Sequence, residues 1–375
     1  MKKMLFISNI TNRITNFSLP SIEASQTLGY EFHLAANCSG FTDDTSMYNV
    51  KIHHIDLVRN PFSLKNVKAY KQMLALLKEE NFDFIHCNTP IGGLLGRLCG
   101  KKQGVPKIIY TAHGFHFYKG APLLKNILYK TAEMWLAHYT DAIITINQED
   151  FKAAQEFKLR DNGNVYYIPG VGIDNLLIKE AKSNRQEISN EIGINSDTVL
   201  IISVGELNDN KNNKVIIKAL GKLQNPNLHY ILCGEGEKKD ELYNIAKKYN
   251  IEQNIHFLGY RTDVYQLLNS SDIFVMPSYR EGLSRSIMEA MSAGLPCIVS
   301  NIRGNVDLVE EHENGYLCEP DDIDCFAKAI DILVTNNELR ERMSANNMRK
   351  VEAFNIENVK KCILDTYSEV LSDIK

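Results

Sequence analysis

Short apolar runs rich in β-branched and aromatic residues alternate with longer helical patterns along the first half of the chain. These runs predict strands at Met4–Ser8, Glu31–Asn37, Asp83–Cys87, Lys107–His113, Asp141–Asn147 and Val165–Pro169. The predicted helices between them include Asn66–Glu80, Pro122–His138 and Gln148–Phe157. Strands that alternate with helices in this way are typical of βαβ units and parallel sheets. Residues 1–172 are therefore predicted to form one doubly wound domain.

The same alternation begins again in the second half, which predicts a second domain at residues 173–355. Its predicted strands are Thr198–Gly205, His229–Gly234, Asn254–Gly259, Asp272–Ser278 and Leu295–Ser300, and its predicted helices include Asn212–Leu223, Lys239–Tyr249 and Ser286–Ala293. We interpret Pro169–Asp174 and the polar stretch Lys179–Asn195 as a linker. The last helical stretch, Ile356–Lys375, is expected to pack back on the first domain. The predicted fold is α/β, with two Rossmann-like parallel-sheet domains facing across a cleft.

Length and composition agree with a soluble two-domain protein. The chain has 375 residues, of which 44% are hydrophobic and 23% charged. Its apolar start is too short for a signal peptide and no run of about 18 apolar residues follows, so we expect a cytoplasmic protein. Residues 1–175 hold 19 basic and 15 acidic side chains (net +4), which leaves 23 and 31 (net −8) for the rest. The basic half either faces an anionic lipid or phosphate partner or reflects ordinary surface scatter.

The cysteines and acidic pairs do not indicate a metal site. The eight cysteines include no Cys-x-x-Cys pair and most lie in apolar patterns, which predicts buried reduced thiols and neither disulfides nor metal ligands. The one Asp-x-Asp sequence, Asp322-Ile-Asp324, begins a predicted helix, where acidic residues stabilise the helix start. We therefore expect no metal ion or other cofactor.

Two glutamates eight positions apart mark a candidate ligand site in Glu281-Gly-Leu-Ser-Arg-Ser-Ile-Met-Glu289. This segment runs from a strand end through a glycine-bearing turn into a helix, and free N–H groups at such a helix start attract anions such as a diphosphate. Glu289, about 7.5 Å along the helix, could accept hydrogen bonds from two adjacent hydroxyls, as on a ribose. The alternative is that Glu281 only complements the helix dipole and Glu289 is solvated.

Five motifs in order resemble the retaining glycosyltransferases of family 4, including the subgroup of capsule and exopolysaccharide transferases. They are Thr111-Ala-His-Gly114, Val204-Gly-Glu-Leu-Asn-Asp-Asn-Lys211, Cys233-Gly-Glu-Gly-Glu237, Gly259-Tyr-Arg261 and the Glu-x7-Glu segment itself. The resemblance implies the GT-B fold and metal-independent transfer of a sugar from a nucleotide sugar to a hydroxyl of a glycan acceptor. The donor is expected to be a UDP-sugar and the acceptor a lipid-linked intermediate, with no nucleic-acid partner.

The resemblance also implies roles for individual residues. Glu289 would bind the ribose, Glu281 the hydroxyls of the donor sugar, and Lys211 the diphosphate, whose negative charge grows as it leaves. His113 would lie beside the anomeric carbon of the donor. The catalytic residues are thus His113, Lys211 and Glu281. The other donor-binding residues are Gly205, Glu206, Gly234, Glu235, Tyr260, Arg261, Gly282, Leu283, Ser284 and Glu289, and the acceptor-binding residues are Asn9, Asn12, Arg13 and His116.

One position departs from the commonest family pattern. Glu206 stands where an arginine usually joins the lysine at the phosphates, and a carboxylate cannot bind phosphate. This substitution leaves open which second cation serves, and the candidates are Arg261, Arg285 and Arg303.

The predicted helix Pro122–His138 combines apolar residues with nearby lysines. It either lies on the inner face of the cell membrane or packs its apolar side on the core.

Two other enzyme classes and a binding scaffold are the alternatives to sugar transfer. A nicotinamide-dependent oxidoreductase is disfavoured because the loop after the first strand, Ser8–Asn16, has no glycine. A nucleotide-sugar 2-epimerase would share the two-domain architecture, and Glu206 is the one feature that favours an inactive nucleotide-sugar-binding scaffold.

Overall fold

The chain folds into two compact units in a computed structural model that describes residues 2–61, 63–195 and 197–373. Residues up to Gly172, together with those from Ile356 onward, form the first unit, and Ile173–Asn355 form the second. Each unit is a parallel sheet covered by helices. The predicted α/β class with two Rossmann-like sheets is confirmed.

The first unit contains a seven-stranded sheet in the order β3-β2-β1-β4-β5-β6-β7. All of its neighbouring strands pair in parallel. Helices on both faces of a parallel sheet bury the strands completely, which explains continuous apolar runs such as Met4–Ile7. The strands are β1 (Lys2–Ile10), β2 (Tyr30–Asn37), β3 (Val50–His54), β4 (Phe84–Asn88), β5 (Lys107–Ala112), β6 (Ala142–Thr145) and β7 (Asn164–Tyr167).

Six α-helices cover this sheet, counted over the described part of the chain. Five of them follow strands of the unit: α1 (Leu19–Thr27), α2 (Lys65–Glu80), α3 (Pro90–Gln103), α4 (Leu123–Ala137) and α5 (Gln148–Ala154). The sixth is the C-terminal helix, Ile356–Val370, which buries Val359, Ile363 and Tyr367 against the unit. The Tyr367 hydroxyl lies 2.6 Å from Nδ1 of His86, a buried residue of β4. The end of the chain is therefore part of the first core.

The second unit contains a six-stranded parallel sheet in the order β10-β9-β8-β11-β12-β13. Its strands are β8 (Val199–Val204), β9 (Leu228–Cys233), β10 (Ile255–Gly259), β11 (Ile273–Met276), β12 (Cys297–Ser300) and β13 (Gly315–Cys318). Its helices are α6 (Asn175–Glu180), α7 (Arg185–Ile192), α8 (Lys214–Leu223), α9 (Lys239–Lys248), α10 (Val264–Asn269), α11 (Arg285–Ser292), α12 (Asn305–Leu308), α13 (Ile323–Thr335) and α14 (Asn337–Lys350), and the C-terminal helix is α15. Short 3₁₀ turns complete the two units at Thr45–Tyr48, Arg160–Asn162, Glu252–Asn254 and Val351–Phe354.

Two sequence expectations about the second unit are wrong. The polar stretch interpreted as a linker contains α7 and the end of α6, because α7 exposes most of its length while burying Ile188, and Gly193 ends it at φ +71°. The cysteines are not all reduced, since Cys318 at the end of β13 and Cys325 in α13 form a disulfide with their Cα atoms 5.7 Å apart. The other six cysteines are free thiols, as expected.

The order of strands locates the ligand-binding edge of each sheet. In the first sheet, β2 and β3 are added on one side of β1, and the strands from β4 onward are added on its other side. The strand order of the second sheet reverses in the same way between β8 and β11. Parallel sheets bind ligands at the carboxyl ends of the strands on either side of such a reversal. The relevant loops therefore follow β1 and β4 in the first unit and β8 and β11 in the second.

Candidate active site

The loop after β8 places Lys211 at the strand reversal of the second unit. Its backbone N–H donates to Oδ1 of Asn208 at 3.1 Å, and its ammonium donates to Oε1 of Glu281, in the loop after β11, at 2.8 Å. A Cβ atom on Gly205 would lie 3.1 Å from Cε of Lys211, so the lysine stem lies directly over that glycine. Both members of the ion pair are largely shielded from solvent, with exposed fractions of 21% and 16%. The loop therefore holds a cation at a fixed position.

The turn between β11 and α11 presents the start of a helix beside this cation. Ser284 is the N-cap of α11, and its Oγ accepts a hydrogen bond from the N–H of Ile287 at 3.4 Å. The first N–H groups of a helix have no partner within it and carry partial positive charge. An anion near Lys211 would therefore meet a second source of positive potential.

The loop after β12 supports the same turn from behind. Nε of Arg303 donates to the carbonyl of Glu281 at 3.4 Å. Gly304 has φ +80°, and a Cβ atom there would lie 2.1 Å from the carbonyl oxygen of Gly282. Backbone packs on backbone at this point, so the position of the turn depends on a glycine at 304.

Glu289 lies one turn into α11 and is 8% exposed. Its Oε1 accepts hydrogen bonds from Nε of Arg285 at 2.9 Å and from the hydroxyl of Tyr265 at 3.4 Å. Burial raises the pKa of this carboxyl, while the charge of Arg285 acts in the opposite direction. The alternative of a solvated Glu289 is therefore wrong, and both hydrogen bonds go to the same oxygen of the carboxylate.

Several other predicted donor residues lie on the loops that follow strands β8, β9 and β10. Glu206, Glu235 and Tyr260 are exposed on the loops after β8, β9 and β10. Gly234, after β9, approaches the first of these loops so closely that a Cβ atom would lie 2.0 Å from the carbonyl oxygen of Gly205.

Ion pairs hold Arg261 and Arg285, two of the candidate second cations. Arg261 forms ion pairs with Glu191 at 2.6 Å and with Asp263 at 2.7 Å, and Arg285 is paired with Glu289. Asp322 caps α13 by accepting from the N–H of Cys325 at 2.9 Å, as its position at a helix start predicts. Groups of three or more metal-ligating side chains do not occur among the residues that the structure describes.

In the first unit, His113 follows directly after β5. Its Nε2 lies 3.1 Å from Oδ1 of Asn88, the last residue of β4, and its ring packs on Phe17 at 4.7 Å between centroids. Burial lowers the pKa of His113 to about 4, so the imidazole is neutral at pH 7. It can exchange hydrogen bonds there but carries no charge.

A pocket of about 450 Å³ lies at the ends of β1 and β4. Of the predicted acceptor residues, Asn9 and His116 line it. The amide oxygen of Asn9 accepts from Oγ1 of Thr89 at 2.9 Å and from the N–H of Gly92 at 2.7 Å, which fixes the loop after β1. The lining also includes Glu133, which sequence reasoning missed.

The other two predicted acceptor residues lie apart from the pocket lining. Asn12 and Arg13 are exposed on the loop after β1, where the carbonyl of Asn12 accepts from the N–H of Thr42 at 2.9 Å. The structure thus brings only part of the predicted acceptor set together.

Comparison with known proteins identifies the family. Residues 184–350 match the family model described as Glycosyl transferases group 1, and residues 3–147 match the model described as Glycosyl transferase 4-like. The chain is 32% identical to EpsD of Bacillus subtilis over 373 residues, which cover 98% of this chain and 96% of EpsD. The chain belongs to the family 4 glycosyltransferases.

A second relative and a solved structure extend this result. The chain is 32% identical to the UDP-Gal:alpha-D-GlcNAc-diphosphoundecaprenol alpha-1,3-galactosyltransferase of Escherichia coli over 367 residues, 96% of this chain and 94% of the relative. The structure of Anabaena HepE in complex with UDP-glucose superposes with a TM-score of 0.76 at 19% identity, covering 98% of this chain and all of that one. The fold is GT-B, and this family 4 enzyme transfers a sugar from a nucleotide sugar.

Proposed function

We propose that this family 4 enzyme transfers a sugar from a UDP-sugar, with retention of anomeric configuration, to a hydroxyl of a lipid-linked glycan in capsule or exopolysaccharide synthesis. The observation that carries the donor side is the Lys211–Glu281 ion pair beside the start of α11, with the buried carboxylate of Glu289 one turn further on. The named substrates of the E. coli relative, and UDP-glucose bound to HepE, support the classes of donor and acceptor.

Each donor-side group has a capacity that suits one part of a nucleotide sugar. The Lys211 ammonium donates to Glu281 and, at 3.9 Å, to the sulfur of Met276, which leaves its third N–H for the diphosphate. Glu281 has a second oxygen for hydroxyls of the donor sugar. Glu289 offers its free oxygen to the ribose.

The chemistry needs no dedicated protein base. The acceptor oxygen attacks the anomeric carbon on the face from which the diphosphate departs, a new C–O bond forms as the bond to the phosphate oxygen breaks, and that phosphate oxygen takes the acceptor's proton. Lys211 and the α11 N–H groups stabilise the charge that develops on the diphosphate. Since these groups supply fixed positive potential, we propose that the transfer is independent of metal ions. Neutral His113 donates or accepts a hydrogen bond at the donor sugar.

Helix α4 supports contact with a membrane. Six large apolar residues of α4 are 41–82% exposed, and the helix buries only Leu136 and Ala137 among its described residues. The alternative that this apolar side packs on the core is therefore wrong. The six exposed residues are Leu123, Leu124, Ile127, Leu128, Met134 and Trp135, and we call them the α4 stripe.

The charges beside the stripe select the kind of partner. At 100° per residue, the stripe covers an arc of about 140°, with Lys130 just beyond one edge. A tryptophan within an apolar arc that has a lysine at its edge fits the interface of a bilayer with anionic headgroups. Among the described residues, no helix is both long and apolar enough to cross a membrane. We therefore propose that the stripe lies on the surface of an anionic membrane.

A reconstituted assay tests the proposed reaction. The enzyme is incubated with a panel of UDP- and GDP-sugars and with GlcNAc-diphosphoundecaprenol in vesicles, and the anomeric configuration of the product is read by NMR. We expect acceptor-dependent release of UDP, an α-linked product from an α-linked donor, and unchanged turnover in EDTA. An inverted product would refute retention. Loss of turnover in EDTA would refute metal independence, and isomerised donor without acceptor would indicate an epimerase.

Replacing Lys211 with methionine tests its assignment. Loss of one fixed donor at a developing negative charge should lower kcat by about 10²-fold or more. The matched control is Lys222→Met, because Lys222 pairs with Asp324 at the surface. Equal kcat in the two variants would refute the role of Lys211.

A further inference from the structure

Helix α4 presents different chemistry on its two sides. Four pocket-lining residues, Tyr129, Ala132, Glu133 and Leu136, fall within an arc of about 100° that faces away from the α4 stripe. With side chains, an α-helix is about 10 Å across. The pocket is therefore separated from the exposed apolar surface by the thickness of a single helix.

Glu133 is the one acidic side chain of the pocket lining among the described residues. Its Oε2 accepts from Nη1 of Arg97 at 2.8 Å, and its Oε1 lies 3.5 Å from the hydroxyl of Tyr110. Arg97 is completely buried, donates through Nε to the carbonyl of Gly93 at 2.9 Å, and stacks its guanidinium over the Tyr110 ring at 3.8 Å. Arg97 and Tyr110 thus hold the Glu133 carboxylate in one orientation.

Stability alone does not explain why Arg97 and Glu133 form a buried ion pair. Burying a guanidinium and a carboxylate requires their desolvation, and an apolar pair of similar volume often stabilises a protein equally well. Nη2 of Arg97 is moreover buried without a hydrogen-bond partner among the described residues. A carboxylate has about four acceptor positions, and two are used by Arg97 and Tyr110. The remaining positions are available at the pocket, where Glu133 is 17% exposed.

Much of the lining is apolar, but it also carries groups that suit a sugar. Tyr129 and His116 lie with their rings 5.2 Å apart and offer flat surfaces to the C–H faces of a sugar ring. A charged carboxylate beside a hydrocarbon chain would lose hydration without gaining hydrogen bonds. Arg59, also in the lining, adds a positive charge suited to a phosphate.

We infer that Glu133 reads the acceptor: it accepts hydrogen bonds from hydroxyl groups of the acceptor sugar that is next to the lipid diphosphate. Arg97 and Tyr110 act as positioning residues. This inference rests on the proposed lipid-linked acceptor, because a pocket one helix away from the α4 stripe can hold only the sugar nearest to the bilayer surface when the stripe lies on it.

A binding cycle isolates the contribution of the sugar. The probes are farnesyl diphosphate and farnesyl diphosphate-linked N-acetylglucosamine, each titrated into the full-length enzyme in the presence of UDP. Glu133→Gln should weaken binding of the sugar-bearing probe by about tenfold or more, since it removes hydrogen bonds to a charged group. Binding of farnesyl diphosphate should change less than twofold. Equal weakening of both probes would overturn the inference.

Two further variants separate reading of the sugar from a structural role. Arg97→Met combined with Glu133→Gln removes both buried charges, so a purely structural counter-ion effect should be relieved in the double variant. We expect the affinity for the sugar-bearing probe to stay low, and its recovery to the wild-type value would overturn the inference. Glu156→Gln, at a surface ion pair with Lys130, is the matched control and should leave both affinities unchanged.

The proposed function fails separately from this inference. If the wild-type enzyme binds neither probe, the lipid-linked acceptor is wrong and the role of Glu133 falls with it. If the wild-type enzyme prefers the sugar-bearing probe and Glu133→Gln retains that preference, only the role of Glu133 is wrong.

Discussion

Replacing Gly304 with alanine should displace the turn that carries Glu281 and Gly282. The added Cβ would lie 2.1 Å from the carbonyl oxygen of Gly282, whereas Cβ atoms essentially never approach another atom within 3.0 Å. The turn must therefore move by about 0.9 Å. A misplacement of about 1 Å in a catalytic arrangement can cost about 10²-fold in rate. We expect kcat/KM for the donor to fall by about that factor in a protein that remains folded.

The control for this variant is Gly193→Ala in the same unit. Gly193 has a similar φ of +71°, but a Cβ atom there meets nothing within 4 Å. Gly193→Ala should lose about 1 kcal/mol through strain in the left-handed region, a fall in Tm of about 2–4 °C for a unit of this size. Gly304→Ala should lose more stability, because Gly304 lies outside that region at φ +80° and ψ −42° and its Cβ meets backbone. Only Gly304→Ala should lose activity. If steady-state kinetics give both variants the kcat/KM of the wild type, the turn does not position the reaction.

Three further predictions concern other parts of the molecule. Glu289→Gln should raise the donor KM about tenfold or more, because hydrogen bonds to a charged acceptor are lost. In the wild type the donor KM should rise as the pH falls through the raised pKa of Glu289. A wild-type KM that does not depend on pH would contradict the role of Glu289 as a donor ligand. Leu124→Glu combined with Leu128→Glu should abolish cosedimentation with anionic vesicles while leaving the Tm unchanged, because both residues are exposed, and undiminished cosedimentation would refute membrane contact. Burial lowers the pKa of His86 to about 3. Below about pH 6.5 the imidazole of the unfolded chain binds a proton, whereas that of the folded chain does not. The free energy of unfolding should therefore fall by about 2 kcal/mol between pH 6.5 and pH 5. His86→Gln should remove that part of the slope in thermal unfolding, and an unchanged slope would show that His86 does not cause it.

The sheet strands were largely predictable because a parallel sheet covered on both faces needs continuous apolar segments. The two strands that the pattern missed, Val50–His54 and Gly315–Cys318, lie at sheet edges. The mixed burial of Val50–His54 gives it a weak apolar signal, and Gly315–Cys318, although mostly buried, has only four residues and begins with glycine. The supposed linker was misread for a related reason, since α7 is a polar helix anchored by the burial of Ile188.

The donor side was easier to anticipate than the acceptor side. Lys211, Glu281 and Glu289 occur in loops and a helix start that follow strands, and the topology brings carboxyl ends of adjacent parallel strands to one edge. Glu133 had no such marker. Its importance depends on the buried Arg97 and on a pocket that no local spacing describes, and the only sequence signal was that Glu133 is the one acidic residue of α4.

Helix α4 also illustrates a limit of periodicity. Its apolar positions define one face, but the pattern is the same whether that face meets a core or a bilayer. Only the packing around the helix shows that the face is exposed.

Because the pocket lies one helix thickness from the exposed apolar stripe, an enzyme bound to a membrane through the stripe would find its acceptor by diffusion in two dimensions instead of three. An enzyme resting on a bilayer through α4 meets acceptor molecules by lateral diffusion, so its turnover follows their mole fraction in the lipid. Adding inert lipid at constant total acceptor would then slow the reaction, although the bulk concentration of every reactant is unchanged. The two faces of one helix thus make surface density the quantity to which the rate responds.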